Sequence, residues 1–204
     1  TGSREVFAAA GIEMARGVTG VRTRDEVVEA IRSLEAGGPS ARYVVKTDAG
    51  VGGLGNALVD LDGRPAGEVA TAVDAMTPVD RGQSAPDFLD ALAIDGGVVE
   101  EWLVGEQVAS PSVQLRASPL REVEVLSTHD QLMGGAGDSE FLGCRFPAEP
   151  HFIPMLTEQG RAIGDDAGCR SIGSAPRVDQ LDAAVGPEGD GAPVAAHRER
   201  VEAR

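Results

Sequence analysis

The sequence predicts an α+β fold, and three observations predict it. A β-branched run at Tyr43, Val44 and Val45 leads through a loop with four glycines in six residues into a second alternating segment, Asn56 to Asp60. That is the pattern of two antiparallel strands joined by a glycine turn. Upstream, Val27, Val28, Ile31 and Leu34 recur at helical spacing. Downstream, Gly96 to Glu106 reads GGVVEEWLVGE, where two valines enter a further strand.

Composition sets the limits. With 204 residues, 42% of them hydrophobic, the chain can bury one core or those of two small lobes. A formal net charge of -15 argues against nucleic acid and against an anionic membrane as partners, since both require a basic face. Cys144 and Cys169 stand far apart without metal-ligand spacing, so neither a disulfide framework nor a zinc site is expected. No apolar run approaches the roughly 20 residues that cross a bilayer, and the first residues lack a signal-peptide layout. The expected compartment is the cytoplasm.

In chain order, Ser3 caps a short helix running to Ala10 and stopped by Gly11. Its abrupt start suggests a missing preceding N-terminal domain. Arg4 there reads as a solvated helix charge or, less simply, as a cation for a phosphate. Thr23 to Glu26 (TRDE) matches a capping box, with Asp25 and Glu26 complementing the helix dipole, and Gly37-Gly38-Pro39 ends the helix. This amphipathic helix is expected to pack on the sheet containing Lys46.

The stretch YVVKTDAGVGGLGN, Tyr43 to Asn56, carries the chemistry. Lys46 is the only lysine among 18 basic residues, which points to a demand for an ammonium rather than a guanidinium fork. Gly50, Gly52, Gly53 and Gly55 let backbone N–H groups approach an anion. A P-loop is excluded, because its lysine follows the glycines. Gly50 to Gly55 satisfies G-x-G-x-x-G, yet a dinucleotide site needs a helix opening at those glycines, and a strand is expected there. A lysine on the first strand beneath a glycine flap over a triphosphate remains, beside a ligand-free surface hairpin.

Residues 65–93 allow two short helices, GEVATAVDAM and PDFLDALA, around a polar turn from Pro78 to Pro86, and read as scaffold. Gly96 to Glu106 then reads either as an adenine hinge or as an ordinary strand and turn. In the hinge reading, backbone groups around Glu101 to Leu103 meet the base edge, and Glu106 accepts ribose hydroxyls.

Taken with the segments SPSVQL (110–115), STHDQLMGG (127–135) and FLGCRFPA (141–148), the chain over residues 1–169 resembles ATP-grasp ligases, in the branch of the pheganomycin-type peptide ligases. The resemblance implies two α+β lobes gripping ATP and magnesium. A carboxylate becomes an acyl phosphate, and an amine then displaces the phosphate. Small-molecule carboxylate and amine substrates, amino acids or peptides, are the implied partners.

Carried over, Lys46 holds the phosphates, Gly52, Gly53 and Gly55 form the flap, Glu101 and Leu103 the hinge, and Glu106 the ribose contact. That division gives a central lobe at 1–105, a partial C-terminal lobe at 106–169 and a tail at 170–204. His129, with Asp130 and Gln131, is expected at a strand end facing the cleft, and Arg145 to orient an acyl phosphate or carboxylate. Residues 149–166 return to helix, with Phe152, Leu156 and Ile163 on one face.

The sequence departs from the family in one place. Its only asparagine is Asn56, so the Glu-x-Asn pair that holds magnesium in ATP-grasp enzymes is absent, and no metal ligand is assigned. From Arg170 the chain lacks alternation and reads as a flexible or aberrant tail of a truncated or frameshifted copy. The alternatives for function are a nucleotide-binding remnant without catalysis and, further off, a dinucleotide-dependent oxidoreductase.

Overall fold

The structure, a computed structural model, describes residues 2–51, 53–63, 67–103, 108–118, 122–135, 138, 140–170, 179–185 and 193–200. The chain divides into two compact α+β units. One comprises Ala15–Leu103 with Gly134–Glu140, the other Gly2–Met14, Val104–Met133 and Phe141–Arg204.

The first unit is built on an antiparallel sheet of β1 (Gly17–Val21), β2 (Arg42–Val51), β3 (Leu54–Asp60), β4 (Thr77–Pro78) and β5 (Gly97–Glu101), in the order β1-β5-β2-β3-β4. Three helices accompany it: α2 (Arg24–Ala36), α3 (Val69–Asp74) and α4 (Ala85–Asp95), numbered after α1 (Gly2–Ala9) of the second unit. Strand parity decides which side chains reach the core. Tyr43, Val45, Ala57, Val59 and Val99 lie on one sheet face by register and are fully buried with Val27, Ile31, Val73, Phe88 and Leu92. Each of the Val, Ile, Leu and Phe side chains among them contributes about 1.5–3 kcal/mol.

The α2 capping box forms as expected. Thr23 Oγ1 accepts from the Glu26 N–H at 3.2 Å, and Glu26 Oε2 accepts from the Thr23 N–H at 3.0 Å. A second box starts α4, where Ser84 Oγ accepts from the Asp87 N–H and Asp87 Oδ2 accepts from the Ser84 N–H at 3.2 Å.

In the second unit β6 (Pro111–Ala117), β7 (Val123–Gly134), β8 (Glu140–Arg145), β9 (Asp179–Val185) and β10 (Pro193–Arg200) form a sheet in the order β10-β9-β6-β7-β8. Helix α5 (Ile153–Arg170) packs on it, burying Leu156 and Ile163 with Phe7 of α1 and with Val113 and Leu115. Two glycines let α5 come this close. A Cβ on Gly160 would stand 3.1 Å from Leu115, and one on Gly164 would meet Val123 Cγ1 at 2.4 Å.

Two sequence expectations change. The chain after Arg170 carries two strands, because ladder bonds are made by backbone groups and do not require side-chain alternation. His129, Asp130 and Gln131 lie inside β7, which runs on to Gly134, rather than at a strand end. Gly50 to Gly55 lead from β2 into β3 and open no helix, as the sequence predicts, so the dinucleotide reading does not hold. Among the described residues no helix is long and apolar enough to cross a membrane.

Candidate functional site

The site is built from the three central strands of the first sheet. Lys46 faces Asn56 on β3 and Val98 on β5, on the face opposite the helices, with Val44, Leu58 and Glu100 beside it. Its Nζ lies 2.7 Å from Glu100 Oε2, and the two side chains are 16% and 5% exposed. A buried carboxylate thus fixes the position of the chain's one lysine, and the pair together is close to neutral. Sequence reasoning assigned Glu100 no role, although the parity of β5 carried the signal: adjacent strand residues point to opposite faces, so Glu100 and Glu101 cannot share a function.

Glu101 points the other way, to Arg16. Arg16 Nε donates to Glu101 Oε2 at 2.8 Å, and Arg16 Nη2 approaches the same oxygen at 2.7 Å. The Arg16 backbone N–H donates to Glu101 Oε1 at 2.9 Å. The same guanidinium donates to the carbonyls of Leu34 and Gly38, tying the end of α2 to the end of β5. Trp102 N–H continues the β2–β5 ladder to the Arg42 carbonyl at 2.9 Å, and Leu103 follows, half-buried.

The glycine hairpin has its own packing reason. After the Lys46–Asn56 pair the register slips until Val51 meets Leu54, so residues 47–50 arch over Gly55. A Cβ on Gly55 would fall 2.7 Å from Gly50 Cα and 2.6 Å from Thr47 Oγ1, and φ there is +94°. Gly53 turns the chain with φ +85°. Gly52 and Glu106 lie outside the described residues.

Lys46, Gly53, Gly55, Glu101 and Leu103 therefore belong to one unit, and His129 and Arg145 to the other. His129 is buried at 2% exposure on β7, opposite Ser112, with its ring 4.9 Å from that of Phe146. Arg145 Nη2 donates to Asp130 Oδ2 at 3.0 Å and to Glu149 Oε1 at 3.1 Å. The hydrogen bond to Asp130, then that to Glu149, raises its pKa further, so it stays a cation at any working pH. Among the described residues no group of three or more His, Cys, Asp or Glu side chains is gathered in one place.

No protein-family model matches the chain. It is 34% identical over 170 residues to the L-propargylglycine–L-glutamate ligase of Streptantibioticus cattleyicolor, a match covering 81% of this chain and 33% of that enzyme. The chain thus spans about a third of the length of this curated relative. Its fold matches a biotin carboxylase from Campylobacter jejuni in complex with a β,γ-ATP ligand, with TM-score 0.65, 14% identity and 97% of this chain and 39% of that one covered. It also matches the ADP complex of an N5-carboxyaminoimidazole ribonucleotide synthetase, with TM-score 0.58, 17% identity and 98% and 42% covered. The chain is thus similar in sequence to a ligase and shares the ATP-grasp fold of these nucleotide-bound enzymes.

Proposed function

We propose that the chain is the nucleotide-binding part of an ATP-dependent ligase that joins a carboxylate to an amine, with amino acids or small peptides as substrates. The observation that carries this is Lys46, the lone lysine, held on the sheet face beside the glycine hairpin by Glu100. The 34% identity to a ligase named for two amino acids supports the substrate class.

In this reading Lys46 meets the phosphates, and the N–H groups of Gly52, Gly53 and Gly55 cover them. The Glu101 carbonyl and Leu103 N–H read the adenine edge, and Glu106 takes the ribose. A carboxylate oxygen attacks the γ-phosphorus, the bond to the β-γ bridging oxygen breaks, and ADP leaves. The amine nitrogen then attacks the acyl carbon, inorganic phosphate departs, and the nitrogen loses a proton. Such chemistry asks the protein for positioning and charge stabilisation rather than a nucleophile. Arg145, 61% exposed, has guanidinium surface left to present to a carboxylate or acyl phosphate, and His129 stands on the same sheet. The cytoplasm is the proposed compartment.

A titration of Trp102 fluorescence with ATP tests the site. The expected result is a saturable change that weakens in Lys46→Ala, and a folded protein whose signal ignores ATP overturns the reading. A second reading, nucleotide binding without turnover, rests on the sequence, whose only asparagine is Asn56, so that no Glu-x-Asn pair follows the hinge. ATP binding without phosphate release, across a panel of amino-acid pairs, supports that version.

A further inference from the structure

Glu101 resolves an unusual pairing at the end of β5. Its own N–H donates to the Arg16 carbonyl at 3.0 Å, as an antiparallel pair requires. In such a pair the two residues exchange both bonds, so the Arg16 N–H belongs on the Glu101 carbonyl. Instead it donates to the Glu101 carboxylate at 2.9 Å, and the guanidinium holds that carboxylate in place through Nε and Nη2. The side chain has taken the donor that would have closed the ladder on its own backbone oxygen.

We infer that the Glu101 carboxylate, held by Arg16, keeps the Glu101 carbonyl open as an acceptor and thereby sets the preference of the site for a 6-amino purine. The inference rests on the nucleotide reading above. A carbonyl held open accepts from the exocyclic amino group of adenine and repels the 6-oxo group of hypoxanthine. Glu101 and Arg16 act here as positioning residues, touching the base only through the backbone that they hold. The carboxylate contributes an oxygen and Arg16 fixes its direction. Without that oxygen the Arg16 N–H turns to the carbonyl, the ladder closes, and one of the two lone pairs open to the base is taken.

The test compares dissociation constants of the full chain for ATP and ITP, by calorimetry, in the wild type, Glu101→Gln and Glu101→Met. Gln keeps an oxygen for the Arg16 N–H without the charge, whereas Met keeps the length without the oxygen. The expected result is an ATP-over-ITP preference retained in Gln and reduced about tenfold in Met, the size of one good hydrogen bond. A merely structural ion pair fails equally in both variants and moves the two nucleotides together. An unchanged ATP:ITP ratio in Met, or equal loss in Gln and Met, overturns the inference while leaving the nucleotide site standing. Wild-type protein that binds neither nucleotide instead removes the nucleotide reading itself. Should Glu101→Met not fold, Glu101→Asn, whose oxygen falls one methylene short, makes the same comparison.

Discussion

The Lys46 ammonium lies 2.7 Å from the Glu100 carboxylate, across one strand boundary and two residues out of register, on a face where both side chains are largely buried. Each offsets the burial of the other. Removing one member of a buried ion pair costs about 3–5 kcal/mol, while removing both is much cheaper.

Lys46→Ala is therefore expected to lower stability by about 3 kcal/mol and to weaken ATP binding. Lys46→Ala with Glu100→Ala is expected to regain most of the stability and none of the affinity. Urea unfolding and ATP titration of the three proteins separate the two effects. Recovery of ATP binding in the double variant would show that the lysine does not hold phosphate.

Acid is expected to loosen the first unit through its exposed caps. Hydrogen bonds from the Arg22 and Thr23 N–H groups hold the Glu26 carboxyl below its usual range, and the Ser84 hydroxyl, then its N–H, does so for Asp87. The hydrogen bond from Arg24 does the same for Asp74. A carboxylate depressed in the folded state binds fewer protons there than in the unfolded chain. The stability it contributes is thus present above the ordinary carboxylate range and is lost as pH falls through the depressed one. Glu26→Gln with Asp74→Asn and Asp87→Asn should lower the urea midpoint at neutral pH and flatten its fall in acid. An unchanged acid slope in the triple variant would place the pH dependence elsewhere.

Local chemistry with a fixed spacing was readable in the sequence. The Thr23–Glu26 box, the α2 stripe and the lysine-glycine hairpin each follow from a few neighbouring residues. The Ser84–Asp87 box was not read, because a shorter Asp stands where the pattern has Glu and Pro86 suggested a turn. β1, with the sequence GVTGV, carries too little alternation to declare itself. β9 and β10 owe their place to backbone pairing, which no residue pattern announces. The Glu100 and Glu101 division needed only strand parity, but the partners that give it meaning, Lys46 and Arg16, are 54 and 85 residues away in sequence.

Close packing at Gly164 makes a sharp prediction in the second unit. A Cβ there would meet Val123 Cγ1 at 2.4 Å, and Val123 belongs to the sheet on which α5 rests. In an exposed helix Gly→Ala stabilises by up to about 1 kcal/mol. Here overpacking dominates, and Gly164→Ala is expected to cost about 1–3 kcal/mol. Pairing it with Val123→Ala should restore part of the loss in thermal melts. A Gly164→Ala protein as stable as wild type would mean that α5 rides farther from β7.

Arg145 and Asp130 share an ion pair but not the same fate on mutation. Asp130 is 13% exposed, and its Oδ2 accepts from Arg145 at 3.0 Å and from the Glu149 N–H at 3.1 Å, joining β7 to the turn after β8. Arg145 is 61% exposed, and solvent screens an ion pair made at the surface. Asp130→Ala, which removes the acceptor of both bonds, is expected to lower the melting temperature more than Arg145→Ala does. If Arg145 also orients the acyl phosphate, Arg145→Ala loses phosphate release with its melting temperature nearly unchanged, and Arg145→Lys recovers little, since a point charge cannot reproduce the bidentate fork. Turnover that survives Arg145→Ala would leave this residue as a strand-end tether, and the carboxylate would have to be held by another cation of the second unit.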